Sequence, residues 1–324
     1  MWAIQATRFG DPEVLAIREM PDPVAGPGQG VVEVSVADVL FVETQIRRGL
    51  AREYFTVEPP YVPGSAVAGQ VISVGESVDP GWVGRRVAAH TGGGGGYAER
   101  VAVPADGLIP VPDGLGVREA AALLHDGPTA LGVFEEARIR PGESVLVTAA
   151  AGGMGVLLVQ LAHTAGARVT AAARGKQKLD VAREMGAVSV VDYSRPGWPE
   201  RVREACGGGG PDVVFDGAGG QIGGAAFEIT APGGRFSAHG APSGGFAEFD
   251  PREAERRGVT VRGIEDVRFA PAKVKRLAAR ALAEAAAGRM RPVIGQTFPL
   301  ARAADAHAAM EARDVVGKTL LLLT

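Results

Sequence analysis

The hydrophobic rhythm of the chain changes twice. Residues 1 to about 120 carry short apolar or alternating runs, among them Val31–Val36, Val67–Ile72 and Arg86–Ala89, parted by turns such as Pro21-Asp22-Pro23 and Pro80-Gly81. A period of two bounded by Pro and Gly predicts β-strands, and no useful helical period appears before Val117. From Val117 to Gly263 strand and helix patterns alternate. Ser144–Val147 leads into a helix over Met154–Thr164, and Arg168–Ala172 into Lys176–Met185. Val188–Val191 leads into a stretch near Pro199–Ala205, Val213–Asp216 into Ile222–Thr230, and Arg235–Ser237 into a Gly-rich loop. This alternation predicts a doubly wound parallel sheet covered by helices on both faces. After Gly263, helices are expected over Ala272–Ala287 and Ala301–Glu311, then a closing strand at Thr319–Leu323. The expected architecture is α/β: residues 1–120 and 264–324 form a discontinuous β-rich domain, and 121–263 a doubly wound domain inserted in it.

The richest segment lies where the second rhythm begins. Ser144–Gln160 reads as strand, glycine turn and helix, with the spacing Ala149-x-x-Gly152-x-x-Gly155. Small residues let the backbone approach a pyrophosphate, and the helix N-terminus offers free N–H groups and the positive dipole end. Ala149, Gly152, Gly153, Met154 and Gly155 are therefore candidate dinucleotide contacts. The end of the next strand selects between nicotinamide cofactors, since an acid there would hold a ribose 2′-OH and repel a 2′-phosphate. Here Arg168–Ala173 is followed by Arg174-Gly175-Lys176-Gln177-Lys178, with three cations and no acid. Arg clamps phosphate and Lys adds a point charge, so the expected cofactor is NADP(H).

Composition narrows the partners. The 324 residues are 46% hydrophobic with a net charge of −3, which gives no reason to expect nucleic acid. No apolar run reaches the roughly 18 residues that suggest a membrane helix. Met1–Gln5 lacks the basic and apolar regions of a signal peptide. The single cysteine, Cys206, excludes an intrachain disulfide and reads as a bystander thiol in a loop. The expected compartment is the cytoplasm. Arg252–Arg257 reads as a solvated charged stretch.

Several further segments carry a resemblance that runs nearly end to end: Phe9-Gly10-Asp11-Pro12, Pro60–Ser65, Gly127-Pro128-Thr129-Ala130, Ala150–Gly155, Ala306-His307 with Met310-Glu311, and Gly317-Lys318. The chain resembles the zinc-free quinone oxidoreductase branch, which includes zeta-crystallin, of the medium-chain dehydrogenase/reductase superfamily. The resemblance implies a GroES-like β-rich catalytic domain and a Rossmann cofactor domain. It implies hydride transfer from NADPH to a small apolar quinone or α,β-unsaturated carbonyl, in a homodimer or homotetramer. By position Lys178 and Tyr193 match 2′-phosphate contacts, Thr129, Ala218 and Gly240 match nicotinamide-side positions, and Lys318 joins the cofactor candidates; His239, where relatives often carry Phe, either lines the cleft near the cofactor or lies at the surface. The zinc ligands of metal-dependent relatives are missing: Gly64-Ser65-Ala66 replaces a Gly-His-Glu segment, Val36–Val42 has no Cys, and Gly92–Gly96 replaces the four-cysteine lobe. Zinc needs about four N, S or O ligands, so no metal is expected.

The chain departs from this family where substrate would bind. Leu40 stands for an Asn, Glu43 for an Asp, Gln45 for a Tyr, and Ala51 for a further Tyr that nearby Tyr54 could replace. Gln45, Tyr54, His125 and Thr129 are candidate donors to substrate or nicotinamide, with His125 beside Asp126 a candidate proton donor or simply a packing residue. Two alternatives remain open at this point: a specialised enoyl reductase of a biosynthetic pathway, and a non-catalytic NADPH-binding scaffold or sensor.

Overall fold

Two sheets of opposite character organise the chain, seen in a computed structural model that describes residues 1–50, 52 and 55–323. Met1–His125 with Ala278–Thr324 forms one unit and Asp126–Leu277 the other.

The first unit opens with an antiparallel pair, β1 (Trp2–Ala6) and β2 (Leu15–Glu19). The long strand β3 (Gln29–Val39) is followed by helix α1 (Phe41–Arg47). Then come β4 (Ala66–Val74), β5 (Arg86–His90), β6 (Arg100–Pro104), β7 (Leu108–Pro110) and α2 (Val117–Leu124). Branched side chains from alternate positions, including Val32, Val34, Val67, Val71, Val87 and Val103, interlock with Leu321 and Tyr97 in the core. Each such side chain, fully buried, contributes about 1.5–3 kcal/mol before entropy is counted. Helix α1 was not expected from the sequence. It has only seven residues, and its N-cap is Leu40 rather than a Ser, Thr, Asp or Asn.

The second unit alternates strand and helix. Helix α3 (Asp126–Ala137) leads to β8 (Ser144–Thr148), α4 (Gly153–Thr164), β9 (Arg168–Ala173), α5 (Lys176–Glu184) and β10 (Ser189–Asp192). Next are α6 (Trp198–Ala205), β11 (Val213–Asp216), α7 (Gly220–Glu228), β12 (Arg235–Ala238), α8 (Pro251–Arg257) and β13 (Thr260–Arg262). The six strands lie parallel in the order β10-β9-β8-β11-β12-β13, so chain direction across the sheet reverses between β8 and β11. Strand β8 is buried at every position, as a strand covered on both faces requires. The Phe227, Phe236 and Phe249 rings pack together beneath β12, with centroids 4.7–6.2 Å apart.

Two local expectations are refined: the Arg252–Arg257 stretch is solvated at Arg252, Glu255 and Arg256 as expected but folds as a helix with one inward arginine, and Cys206 is not in a loop. Arg252–Arg257 lies in α8, capped by the Asp250 side chain accepting the Arg252 N–H at 2.9 Å and ended by left-handed Gly258. Its Arg257 turns inward, donating to the carbonyls of Phe227 and Thr230. Cys206 is the buried C-cap of α6 rather than a loop residue, and burial pushes its thiol up.

The chain then re-enters the first unit through α9 (Pro271–Ala286), β14 (Ile294–Pro299), α10 (Ala303–Glu311) and β15 (Lys318–Leu322). The division between units falls inside α9. Strand β15 pairs antiparallel with β3, giving the order β14-β15-β3-β4-β5-β7, with β6 also on β3. No helix among the described residues is long and apolar enough to cross a membrane.

Candidate cofactor and substrate sites

In the second unit, the turn after β8 is tightly built. Ala149 holds φ at +49°, a conformation that strains a residue with a Cβ. The Ala150 N–H donates to the Ala172 carbonyl of β9 at 3.1 Å, and the Gly152 N–H to the Ala149 carbonyl at 2.9 Å. A Cβ on Gly155 would stand 2.4 Å from the Ala149 oxygen, so only glycine lets α4 close on the turn. A Cβ on Gly152 would meet only that oxygen, at 3.2 Å, and otherwise open space. The first N–H groups of a helix lack intrahelical acceptors and carry its positive end. This opening at the head of α4 fits a pyrophosphate.

Cations stand at the neighbouring strand ends. Arg174, just past β9, is exposed, and Lys178 lies in the first turn of α5. Lys176 is engaged by Asp180 at 2.5 Å. The Tyr193 N–H reaches the Ala173 carbonyl at 3.3 Å, and its ring meets Trp198 edge-on. Asp192, at the end of β10, accepts from Ser194 and from the Gly175 N–H at 3.3 Å. Burial works to raise its pKa, but these hydrogen bonds and the Arg195 charge hold it below the usual carboxylate range.

On the other side of β8, a buried carboxylate shapes the loop after β11. Asp216 accepts the Thr148 hydroxyl at 2.6 Å and the N–H groups of Ala218 and Gly219 at 3.1 and 3.2 Å. Its own carbonyl accepts the N–H groups of His239 and Gly240, at 3.1 and 3.0 Å. Burial raises the Asp216 carboxyl, and the Thr148 hydrogen bond opposes it. Thr148 and Asp216 thus fix Ala218, His239 and Gly240 at the carboxyl ends of β11 and β12. Both went unmarked in the sequence, where Asp216 is simply the last residue of an apolar strand.

In the first unit, Glu43 ties together three separate segments. Its carboxylate accepts the Leu40 N–H at 3.0 Å, capping α1 from its third position. It also accepts the Ser65 N–H at 2.9 Å, the Ser65 hydroxyl at 3.1 Å and the Tyr97 hydroxyl at 2.8 Å. With the Tyr97 proton given to Glu43, the His307 Nε2–H donates to the Tyr97 oxygen, 3.1 Å away. Burial pushes Glu43 up and His307 down to about 3, the latter helped by the nearby Arg47 charge. Arg47 is fully buried, donating to Glu311 at 2.5 Å and to the Gly10 carbonyl at 3.1 Å. This scaffold holds α1, on which Gln45 is half-buried and donates to the Thr44 hydroxyl at 3.0 Å.

The expected site residues therefore fall into two sets. In the second unit the structure gathers Ala149, Gly152–Gly155, Arg174, Lys178, Tyr193, Ala218, His239 and Gly240 along the carboxyl edge of one sheet, with Thr129 in the first turns of α3. In the first unit, Gln45 lies on α1. His125 caps α2 and stands edge-on to the His90 ring, 6.5 Å away. Lys318 is buried on β15 against Asp38, at 2.8 Å. Tyr54 lies outside the described residues. Among the described residues no group of three or more His, Cys, Asp or Glu is placed to hold a metal ion.

Comparison with known proteins matches both units. The family profile described as alcohol dehydrogenase GroES-like domain covers residues 26–113, and that described as zinc-binding dehydrogenase covers residues 153–282. The quinone oxidoreductase of Pseudomonas aeruginosa is 32% identical over 323 residues, covering 98% of each protein. The chain belongs to the quinone oxidoreductase branch of the medium-chain dehydrogenase/reductase superfamily. The 2-haloacrylate reductase of a Burkholderia species is 33% identical over 326 residues, covering 97% of this chain and 96% of its own. The solved structure of Escherichia coli quinone oxidoreductase complexed with NADPH has a TM-score of 0.91 at 26% identity, covering 99% of this chain and all of that one. In this quinone oxidoreductase-branch protein the glycine turn and the strand-end cations are the parts of the site built mainly from local sequence. The Glu43–Tyr97–His307 scaffold joins residues far apart in the chain.

Proposed function

We propose that this protein is an NADPH-dependent reductase that passes hydride to a quinone or to the β-carbon of an α,β-unsaturated carbonyl, without a metal. The observation that carries this reading is the opening at Gly152 beside the cationic end of β9, where Arg174 and Lys178 follow the strand. The quinone oxidoreductase and 2-haloacrylate reductase relatives support it. The N–H groups from Gly153 to Gly155 hold the pyrophosphate over the opening at Gly152, Arg174, Lys178 and Tyr193 the 2′-phosphate, and Thr129, Ala218, His239 and Gly240 face the nicotinamide end. NADPH, when bound, supplies the hydride. Gln45, Tyr54, His125 and Thr129 are the proposed donors to the oxygen on which negative charge develops. Among the described residues no clustered His, Cys and carboxylate donor set stands where a Lewis-acid metal could be held, which fits direct transfer.

The test is NADPH consumption with a panel of benzoquinones, naphthoquinones, simple enones and 2-chloroacrylate, repeated with NADH. Turnover of at least one acceptor, with NADPH preferred over NADH by about tenfold or more, is expected from one clamped phosphate. Tight NADPH binding with no acceptor turned over would leave a binding protein and overturn the reductase reading. The 2-haloacrylate reductase relative makes the unsaturated carbonyl class the first to assay.

A further inference from the structure

We infer that His239 binds the carboxamide of the nicotinamide ring through its Nε2. This rests on the NADPH reading above and assigns that cofactor's reactive end a side-chain partner. In a parallel sheet, ligands lie outside the carboxyl ends of the strands where the strand order reverses. Here the reversal falls between β8 and β11. The 2′-phosphate candidates Arg174, Lys178 and Tyr193 sit at the ends of β9 and β10, and the pyrophosphate opening is at the end of β8. The remaining half of the dinucleotide then extends over β11 and β12. His239 is the residue immediately after β12.

Its ring is aimed at that place. A Cβ built on Gly217, just past β11, would stand 3.5 Å from His239 Nε2, 3.5 Å from the Ala149 Cβ and 3.3 Å from the Thr148 carbonyl oxygen. The Nε2 atom thus hangs over the reversal point, beside the glycine turn. Nδ1 is held by the Ser237 hydroxyl at 3.2 Å, which fixes the ring and leaves Nε2 for a ligand. Asp126, at the head of α3, is the charged group acting on the ring. Burial outweighs its pull and lowers the imidazole to about 4, so the ring is neutral near pH 7. A carboxamide carries both a carbonyl acceptor and an amide donor, so it complements Nε2 in either neutral tautomer. A quinone or enone oxygen could only accept.

The experiment compares binding of NADPH with that of adenosine 2′,5′-bisphosphate, which has the phosphorylated adenosine half and no nicotinamide. Both are titrated by calorimetry against wild type, His239→Phe, His239→Gln and Ser237→Ala. His239→Phe should weaken NADPH by about three- to tenfold, the loss of one hydrogen bond, and leave the bisphosphate unchanged. His239→Gln, whose amide reaches the position of Nε2, should recover most of the difference, and Ser237→Ala should fall between. An unchanged NADPH affinity in His239→Phe overturns the inference, and so does a parallel loss of both ligands. Wild type that binds neither ligand overturns the NADPH reading itself.

Discussion

The two units solve the problem of buried polarity in opposite ways. In the Asp126–Leu277 unit, the polar work is done at the rim of the sheet by backbone, with the carboxylates of Asp192 and Asp216 ordering the loops after their own strands. The residues of its glycine turn are small because α4 must close on that turn. In the other unit, Glu43, Tyr97, His307 and Arg47 are buried side chains that bond across the fold. There, shape depends on specific side chains. The first strategy leaves space at the turn, and the second keeps a scaffold that holds α1 in place.

The largest expected effect follows from the second strategy. Glu43→Ala strands the Tyr97 hydroxyl and the N–H groups of Leu40 and Ser65 without their acceptor. Leaving buried groups unanswered at one hub costs about 3–5 kcal/mol in stability. Chemical unfolding measures this, and Glu43→Gln, which keeps an acceptor oxygen, should lose clearly less. Binding of adenosine 2′,5′-bisphosphate by folded Glu43→Ala should stay near wild type. A matching loss of affinity would break the division of labour between the units.

The same contrast explains what the sequence made legible. The run from Ser144 to Gln160 encodes strand, turn and helix contiguously, and β8 and α4 lie within a residue of the expected bounds. Its logic is local, because a glycine's missing Cβ matters to its own turn. The α1 scaffold is nowhere local. Glu43 and Tyr97 are separated by 54 positions, and Tyr97 and His307 by 210. No periodicity connects them, and the carboxylate that caps α1 does so without the usual Ser or Thr at its N-cap. His125 and Asp126 are neighbours in sequence that fall on different elements: His125 ends α2 with its ring edge-on to His90, and Asp126 opens α3, where its charge acts on His239.

A smaller effect tests whether the buried scaffold is sensitive to acid. His307 is neutral in the fold because burial, helped by Arg47, lowers it from 6.5 to about 3. Its neutral form therefore contributes stability that is complete above 6.5 and is lost as pH falls toward 3. Between pH 6.5 and pH 5 the loss amounts to roughly 1.5 kcal/mol. Glu43, raised by the same burial, runs the other way, since its protonation favours the fold as pH falls. Comparing His307→Gln with wild type isolates the histidine, because the glutamine amide can still donate to Tyr97 without titrating. Unfolding free energy should fall with acid more steeply in wild type than in the variant. Equal slopes would mean that His307 already carries a proton or reaches water.

The smallest expected effect bears on the open strategy. Gly152 keeps φ at −80°, a conformation any residue adopts, and an added Cβ meets only the Ala149 oxygen, at 3.2 Å. Gly152→Ala should therefore cost less than about 1 kcal/mol in stability, as a small overpacking does. The methyl group would nevertheless stand where the pyrophosphate must approach the N–H groups of α4. NADPH affinity should drop by about tenfold, or 1.4 kcal/mol, with the fold nearly untouched. Gly155→Ala makes the complementary case, since its Cβ would lie 2.4 Å from the same oxygen and the turn itself must move. If both variants lost stability and affinity in proportion, the glycines would serve packing alone. A loss of affinity in Gly152→Ala without a matching loss of stability would mark that opening as space kept for a ligand.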